Sequence, residues 1–233
     1  FYFYLYLSMI SFSNLIYIMK LTFQKVSLNR IFQQMFAQKI YADKRIIEFG
    51  AYKNSKKNFT NFINIKNKEN IVYADKQDYN DNKFFKENLE GKLSFKDDSF
   101  DNVIIFNVLE HVYDANNAIK EIYRCLDSNG RIIGSTPFIH RIHNAPGDYN
   151  RYTEQFYEKI LKKNNFKDSS IEVYGYGPFT ACYVIIFDYT KLIPFLNNLI
   201  LFFCIFLDSI LSIFVKTSLK KIYPITICFS AKK

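Results

Sequence analysis

Residues 100–114 read FDNVIIFNVLEHVYD, and this stretch decides the fold class. Val103 to Phe106 form a continuous apolar run, which is typical of a central strand buried on both faces of a parallel sheet. Polar residues follow directly at Asn107 and at Glu110–His111, and Asp114 is a suitable N-cap for a helix. A buried strand, a polar turn and a capped helix together predict one unit of an α/β protein.

Strands and helices alternate on both sides of this stretch. Further strands are predicted at Arg45–Gly50, Ile71–Asp75 and Arg131–Ser135. Helices are predicted at Leu21–Ala42, from Asp114 to the Asn129–Gly130 pair, and at Thr153–Lys163. This alternation predicts an open, mostly parallel sheet with helices on both faces.

The carboxy-terminal part has a different character. Ile171–Phe187 is predicted to be rich in strand, with breaks at Gly175, Gly177 and Pro178, and Tyr223–Ser230 is predicted as the last strand. An apolar helical insertion is expected between the last two strands, at about residues 190–220.

That insertion contains 16 uncharged residues, Leu192 to Leu207, with Asn197 and Asn198 as its strongly polar positions. Such a helix must be covered by the apolar start of the chain, a second subunit or a lipid surface. Because the next strand returns to the same sheet, we expect peripheral membrane contact rather than a crossing. The predicted lipid-facing side chains are Leu201, Phe202 and Phe206.

The amino-terminal segment 1–19 carries no charged residue. It lacks the positive region that precedes the apolar core of a secretory signal peptide. Two interpretations stay open: a membrane-contacting segment, or a stretch upstream of a natural start at Met19–Lys20. The domain organisation predicted is this segment followed by one domain at residues 20–233.

Composition narrows the classes of partner. With 49% hydrophobic residues in 233, the chain can bury a full core. The net charge of +9 suits anionic partners. The basic residues are scattered and form no dense stripe of the kind that indicates nucleic-acid binding. The four cysteines are far apart, so the sequence predicts no zinc site and indicates free thiols in a reducing cytoplasm.

Two acidic residues end the first two predicted strands. Glu48 is followed two residues later by Gly50, where a glycine lets the backbone approach a ligand and a following helix can offer its N–H groups. Asp75 ends the second strand, and an acid there can accept hydrogen bonds from both hydroxyls of a ribose. Acids also end strands without any ligand, so this pattern alone leaves both interpretations open.

The motifs in order are more specific. They are LSFKDDSFD at 93–101, NVLEHVYD at 107–114, AIKEIYRCLDSNG at 118–130, GSTPF at 134–138 and HRIHNAPGDYNRYT at 140–153. As a set they resemble the class I S-adenosylmethionine-dependent methyltransferases, over about residues 45–233. The resemblance implies the Rossmann-like methyltransferase fold with a seven-stranded sheet, and S-adenosylmethionine as methyl donor.

The resemblance also implies roles for individual residues. Glu48 and Gly50 would border the methionine moiety, Asp75 would bind the ribose, and Asn88 or its neighbours would border the adenine. Asn107 and His111 would face the methionine end, although a local packing role for His111 stays open. The sequence departs from the family where Ala51-Tyr52-Lys53 replaces further glycines, which puts cofactor affinity in question.

The loop after the fifth strand supplies the predicted catalytic residues. His140, His143 and Asp148 are candidate bases above the edge of the sheet where an acceptor would lie. A structural alternative is that Asp148, Tyr149 and Arg151 form a hydrogen-bonded cluster that holds the loop, or that Arg151 binds an anionic group of the acceptor. No metal is predicted.

The function expected is methyl transfer from S-adenosylmethionine to a small-molecule, glycan or lipid-linked acceptor. The alternative is a catalytically inactive relative that serves as a binding or scaffold protein. The expected location is the cytoplasm, with peripheral attachment to the inner face of the membrane, and a homodimer is a further alternative.

Overall fold

The computed structural model describes residues 11–144 and 147–233. The helices are α1 Phe12–Phe23, α2 Leu28–Ala37, α3 Ala115–Cys125, α4 Glu154–Lys163, α5 Pro178–Thr190, α6 Pro194–Phe214 and α7 Leu219–Ile222. The strands are β1 Tyr41–Ala42, β2 Ile46–Phe49, β3 Asn64–Ile65, β4 Ile71–Asp75, β5 Phe84–Lys86, β6 Phe100–Phe106, β7 Leu126–Pro137, β8 Lys167–Tyr174 and β9 Thr226–Lys232. Two 3-10 turns lie at Phe59–Asn61 and Leu109–His111.

Seven strands form one sheet in the order β5-β4-β2-β6-β7-β9-β8. The pairs from β5 to β7 are parallel. The strand β9 is antiparallel to β7, since Phe138 N–H bonds to Ile225 at one end and Lys233 N–H bonds to Gly130 at the other. The open, mostly parallel sheet predicted from the sequence is therefore confirmed.

The central strands owe their place to continuous apolar sequence. Val103, Ile104 and Ile105 of β6 are fully buried, as are Ile46 and Ile47 of β2 beside them. The helix α3 turns its own apolar stripe, which includes Ile119 and Ile122, into the core. This arrangement leaves polar residues to emerge where the central strands end.

Two helices begin at a capping side chain, one of which, Asp114, was predicted as a cap from the sequence. The side chain of Asp114 accepts a hydrogen bond from Asn117 N–H (3.0 Å), and Thr153 accepts one from Phe156 N–H (3.2 Å). These contacts satisfy N–H groups that have no partner inside the helix. The predicted helices after Asp114 and at Thr153–Lys163 are confirmed.

Other boundaries differ from the prediction. The single helix expected at Leu21–Ala42 is two helices, α1 and α2, with a break where Lys25 has a positive φ of 64°. The helix α3 ends at Cys125 rather than at Asn129–Gly130, because Leu126 already has extended geometry and begins β7. The expectation for segment 1–19 falls partly on residues 1–10, outside the described chain, while α1 begins at Phe12.

The prediction of strand at Ile171–Phe187 is wrong beyond Tyr174. Residues from Pro178 onward form α5, although they are rich in aromatic and β-branched types that favour strands. Proline at the first helical position fixes a helical φ, and Thr180 bonds back to Gly177 N–H (3.1 Å). The helical insertion therefore begins at residue 178, earlier than the expected 190.

The described chain divides into two compact units. The sheet unit comprises residues 33–137, 142–144, 147–172 and 227–233. The helical unit comprises residues 11–32, 138–141 and 173–226, and in it α6 packs against both α1 and α5.

Candidate functional site

A cleft of about 250 Å³ opens where four neighbouring strands of the sheet unit end. In parallel α/β sheets this carboxyl edge is where ligands bind. The cleft is lined by Phe49, Gly50, Tyr52, Ala74, Asp75, Lys76, Gln77, Glu87, Leu89, Asn107, Val108, His111 and Val112. Four of the six predicted cofactor-binding residues are among these: Gly50, Asp75, Asn107 and His111.

Gly50 forms the turn that ends β2. Its φ is +72°, and its N–H donates to the carbonyl of Ala74 on β4 (2.8 Å). A Cβ atom at this position would lie 2.4 Å from Cγ2 of Val108. Both the backbone conformation and the crowding require glycine, and the missing side chain keeps the cleft open.

Asp75 ends β4 on the cleft wall. One of its carboxylate oxygens accepts a hydrogen bond from Gln77 N–H (2.9 Å), which fixes the turn and the direction of the side chain. Glu87, after β5, lines the same wall, and its carboxylate accepts from the hydroxyl and the N–H of Ser94. The sequence did not identify Glu87 as a site residue.

Asn107 follows β6 with a positive φ of 56°. This left-handed conformation is uncommon for residues other than glycine and is held here by a paired side chain. The Asn107 amide N–H₂ donates to Gln33 Oε1 (2.9 Å), and Gln33 Nε2 donates back to Asn107 Oδ1. Gln33 lies 74 residues earlier, and nothing in the sequence pattern pointed to it.

Glu48 has a different place from the one predicted. It is buried beneath the loop, where its carboxylate accepts from Phe59 N–H (2.6 Å), Thr60 N–H (3.0 Å) and the Thr60 hydroxyl (2.8 Å). It is not among the side chains that line the cleft. In the described structure Glu48 therefore anchors the 3-10 turn instead of bordering a ligand directly.

Asn88 itself does not line the cleft, whereas the neighbours that the prediction also allowed do. Its side chain is exposed and accepts from Glu90 N–H (3.2 Å), so it stabilises a local turn. The residues on either side of it, Glu87 and Leu89, line the cleft.

The glycine-poor loop after Gly50 does not continue into an α-helix. In the fully described segment 50–63 a 3-10 turn is the regular helical element, which corrects the expectation of a helix that follows Gly50. The amide of Asn58 bonds to both the N–H (3.1 Å) and the carbonyl (2.9 Å) of Tyr52. The loop is thereby fixed with the Tyr52 ring at the cleft and 60% exposed.

Glu110 and His111 follow the end of β6 in a 3-10 turn, and His111 lines the cleft. Glu110 is fully buried, and neither carboxylate oxygen has a hydrogen-bond partner among the described residues. Burial raises the pKa of Glu110 to about 8. Burial also lowers the pKa of His111, whose Nδ1 contacts the Gly147 carbonyl. Since a carbonyl accepts, Nδ1 carries the proton and Nε2 holds the lone pair.

His143 and Asp148, two of the predicted candidate bases, are in contact. His143 N–H donates to Oδ2 of Asp148 (3.0 Å), and its ring Nδ1 lies 3.3 Å from the same oxygen. Both oxygens of Asp148 also bind the Arg151 guanidinium, which holds the pKa of this buried carboxyl well below its usual range. The geometry favours Asp148 as a positioning residue in the hydrogen-bonded cluster rather than as a base.

His111, which lines the cleft, contacts His143, which does not. The rings of His111 and His143 meet edge to face with centroids 4.8 Å apart. The third predicted candidate, His140, belongs to the helical unit with residues 138–141. The catalytic roles of His143, Asp148 and His140 remain predictions.

One group of side chains could hold a metal ion, although the sequence predicted none. Ligand atoms of Glu110, His111 and His143 all lie within 4.8 Å of one another. Two ligands of one zinc ion are only about 3.4 Å apart at bond lengths near 2.1 Å. The three side chains would have to move closer together to bind one zinc ion.

Comparisons with known proteins agree with this geometry. Residues 50–134 match the family model described as a methyltransferase domain. A comparison with curated protein sequences gives no match.

Solved structures share the fold at low sequence identity. A methyltransferase of Archaeoglobus fulgidus superposes with a TM-score of 0.55 and 12% identity, over 88% of this chain and 94% of that one. A Thermotoga maritima methyltransferase, described as a possible histamine N-methyltransferase, gives 0.52 and 13%, over 87% and 88%. Phosphoethanolamine N-methyltransferase 2 of Haemonchus contortus, in complex with S-adenosylhomocysteine, gives 0.51 and 14%, over 86% and 52%.

The order of the seven strands, the glycine turn at the carboxyl edge and the match over residues 50–134 lead to one conclusion. Residues 50–134 are similar to a methyltransferase domain, and the described chain has the fold of solved S-adenosylmethionine-dependent methyltransferases.

Proposed function

We propose that this protein binds S-adenosylmethionine in the cleft of the sheet unit and transfers its methyl group to an acceptor. The observation that carries the proposal is that Gly50, Asp75 and Asn107 line one cleft at the ends of three adjacent strands. A methyltransferase fold supports methyl transfer in general. The roles of individual residues and the class of acceptor are part of this proposal.

The cleft provides a suitable surface for each part of the donor. The Asp75 carboxylate can accept hydrogen bonds from the two ribose hydroxyls, and Leu89 offers an apolar surface for the adenine. The open space at Gly50 and the fixed amide of Asn107 suit the methionine moiety. The exposed Tyr52 closes one side of the cleft. The cleft volume of about 250 Å³ is smaller than the roughly 300–1,000 Å³ typical of ligand pockets.

The paired histidines suit the acceptor. The sulfonium supplies an activated methyl group, so the protein has mainly to align the acceptor and accept its proton. The acceptor lone pair attacks the methyl carbon, the carbon–sulfur bond breaks, and S-adenosylhomocysteine leaves. His111 offers its Nε2 lone pair, and His143 is oriented by Asp148, so either ring can receive the acceptor proton.

The class of acceptor that we propose is a small molecule, a glycan or a lipid-linked compound. Arg151 is bound by Asp148 on both of its outer nitrogens, so it is a poor candidate for holding an anionic acceptor. We place the protein in the cytoplasm, because four free cysteines, one of them exposed, suit a reducing compartment.

Calorimetry with S-adenosylhomocysteine tests the donor site. We expect Asp75→Ala to weaken binding about tenfold or more, since hydrogen bonds to a charged group are worth about 1.5–3 kcal/mol. Asp78→Ala is the matched control, because Asp78 caps the next turn in the same way as Asp75, at 2.9 Å, but does not line the cleft. Equal affinities in the two variants would contradict the ribose assignment.

Methyl transfer itself is tested with radiolabelled S-adenosylmethionine and lipid or polysaccharide extracts. We expect His143→Ala to lower turnover while leaving the affinity for S-adenosylhomocysteine unchanged, since His143 does not line the donor cleft. A chain that binds the donor tightly but labels no fraction of any extract would instead be the binding or scaffold protein.

A further inference from the structure

The longest helix of the helical unit, α6, buries polar side chains and exposes apolar ones. The side chains of Asn197, Asp208 and Ser212 on α6 are buried. Asn197 accepts from the hydroxyls of Tyr183 (3.0 Å) and Thr190 (2.8 Å). Asp208 accepts from three donors at the start of α5, at 2.8–3.0 Å. The polar face of α6 therefore points into the protein.

The opposite face of α6 is apolar and exposed. Its side chains are exposed by 40–78%, namely Leu196, Leu199, Phe202, Phe203, Phe206, Leu207, Ile210, Ile213 and Phe214. A surface helix in water shows the reverse pattern, with its apolar stripe toward the core. Burying polar groups while exposing apolar ones is the arrangement that a hydrocarbon environment favours.

The exposed apolar surface continues over neighbouring elements. In and beside the turn between α5 and α6, Tyr189, Leu192, Ile193 and Phe195 are exposed. On α1, Phe12, Ile16 and Phe23 are also exposed. A soluble monomer seldom exposes an apolar patch of this extent unless it binds something there.

The net charge of the helical unit indicates the charge of the partner. Within residues 11–32, 138–141 and 173–226 there are eight Lys and Arg residues and two acidic residues, a net charge of +6 out of +9 for the chain. Of the acids, Asp208 is buried and Asp188 pairs with Arg141 and Lys191. The net charge of the unit is positive, which suits an anionic partner.

Basic residues flank the apolar helix at both ends. Lys191 precedes α6, while Lys216, Lys220 and Lys221 follow it. Anionic lipid headgroups attract lysines that lie at the edge of an inserted apolar face. Two copies of the same unit placed face to face would bring like charges together, so charge complementarity favours lipid over a second copy.

A groove between α1 and α6 fits the same partner. It has a volume of about 490 Å³ and is lined mostly by apolar side chains, with Lys20 among them. The groove can take an acyl chain while the lysine binds the headgroup phosphate. Asn198 ties the two helices together through the Thr22 hydroxyl (2.8 Å) and the Met19 carbonyl (2.7 Å).

The topology decides how the unit meets a bilayer. Among the described helices, α6 is the one that is long and apolar enough to cross a membrane. The chain leaves β8 for the helical unit and returns into β9, its neighbour in the sheet. Because both connections lead to one sheet, the α5–α6 hairpin has to enter and leave on the same side.

We propose that the helical unit docks this protein onto an anionic phospholipid bilayer, with the exposed face of α6 inserted into its surface. The lipid-facing residues are then Phe202 and Phe206, as expected from the sequence. Leu201 was also expected there, but it is 0% exposed and faces the protein interior. The one-residue difference turns its side chain by about 100° around the helix axis.

Flotation of the full chain with vesicles of phosphatidylcholine and phosphatidylglycerol tests this proposal. We expect the wild-type chain to float with the vesicles and the double variant Phe202→Ser/Phe206→Ser to bind at least tenfold more weakly. Tyr41→Ser is the matched control, since it removes an exposed aromatic ring from the sheet unit and should not change binding.

A second variant tests the charge. Lys20→Gln/Lys216→Gln should weaken binding to the mixed vesicles by about fivefold for each lysine. It should leave any binding to pure phosphatidylcholine unchanged. Equal loss on both kinds of vesicle would contradict the role of anionic headgroups.

Hydrogen–deuterium exchange of the wild-type chain keeps the test independent of whether the variants fold. We expect vesicles to protect the amides of α6 and of the α5–α6 turn. A wild-type chain that neither floats nor gains protection overturns the proposal. If that chain is also a dimer by light scattering, which Phe202→Ser/Phe206→Ser abolishes, a second copy covers the face instead.

Discussion

The buried carboxyl groups of Asp148 and Glu110 have pKa values shifted in opposite directions. The Arg151 guanidinium holds the pKa of Asp148 well below its usual range, so Asp148 remains charged and orients His143. Burial raises the pKa of Glu110 to about 8 against the opposing effect of the Arg151 charge, so Glu110 is mostly neutral at pH 7. Pairs of carboxyl groups separated in this way are typical of sites that move protons.

The raised pKa of Glu110 makes the stability of the protein depend on pH. Between about pH 4.5 and 8 the unfolded chain has released this proton while the folded chain retains it. The free energy of unfolding therefore falls as pH rises, by a few kcal/mol over the whole interval. We expect Glu110→Gln, which stays neutral, to remove this part of the fall, as measured by urea unfolding at pH 5 and pH 8.

The comparison needs a control, because other groups also titrate over that interval. Glu158→Gln changes an exposed glutamate on α4 and should leave the wild-type difference between the two pH values intact. If Glu110→Gln and Glu158→Gln show the same pH dependence, Glu110 is ionised in the folded protein and the assignment is wrong.

At the scale of single elements, the turn after β2 controls both the fold and the cleft. We expect Gly50→Ala to lower the free energy of unfolding by roughly 1–3 kcal/mol, since it combines a left-handed backbone with a 2.4 Å approach to Val108. It should also weaken the binding of S-adenosylhomocysteine. Both effects can be measured by urea unfolding and calorimetry.

Gly91→Ala is the control for that substitution. The nearest atom to an added Cβ there is the Asn88 carbonyl oxygen at 3.8 Å, an ordinary contact. We expect a change below about 0.5 kcal/mol and no change in affinity. Equal stability of the two alanine variants would show that the β2 turn adapts to a side chain.

The elements also show how far the sequence alone could lead. Strands such as β6 were predictable because a continuous apolar run of this length is typical of a buried strand, and Asp114 marked the start of a helix through local capping chemistry. The helix α5 was missed because its residue types favour strands, while its start depends on Asp208 of α6, 28 residues away. Such distant contacts leave no local pattern.

The candidate site, like the fold, was predictable where it depends on local sequence and not where it depends on distant contacts. Gly50 and Asp75 were found because they end buried strands, and their place in the cleft follows from the parallel sheet. The roles of Glu48 and Asn88 depended on side-chain direction, which residue spacing does not determine. Gln33, which holds Asn107, could be found only from the folded structure.

At the scale of the whole molecule, two surfaces of different chemistry belong to different units. Every residue that lines the donor cleft belongs to the sheet unit. The exposed apolar face of α6 belongs to the helical unit, which also carries most of the net charge. This division separates a site for a soluble donor from a surface that suits lipid.

Because no residue is shared between the two surfaces, we expect donor binding and vesicle binding to be independent. The affinity for S-adenosylhomocysteine should change less than about twofold when anionic vesicles are added, since independent sites have a coupling free energy near zero. Calorimetry with and without vesicles measures this directly. Thermodynamic linkage requires the reverse effect to be equal, so saturating S-adenosylhomocysteine should leave flotation unchanged. A coupling of fivefold or more, seen equally in both experiments, would instead mean that the two units change conformation together when either ligand binds.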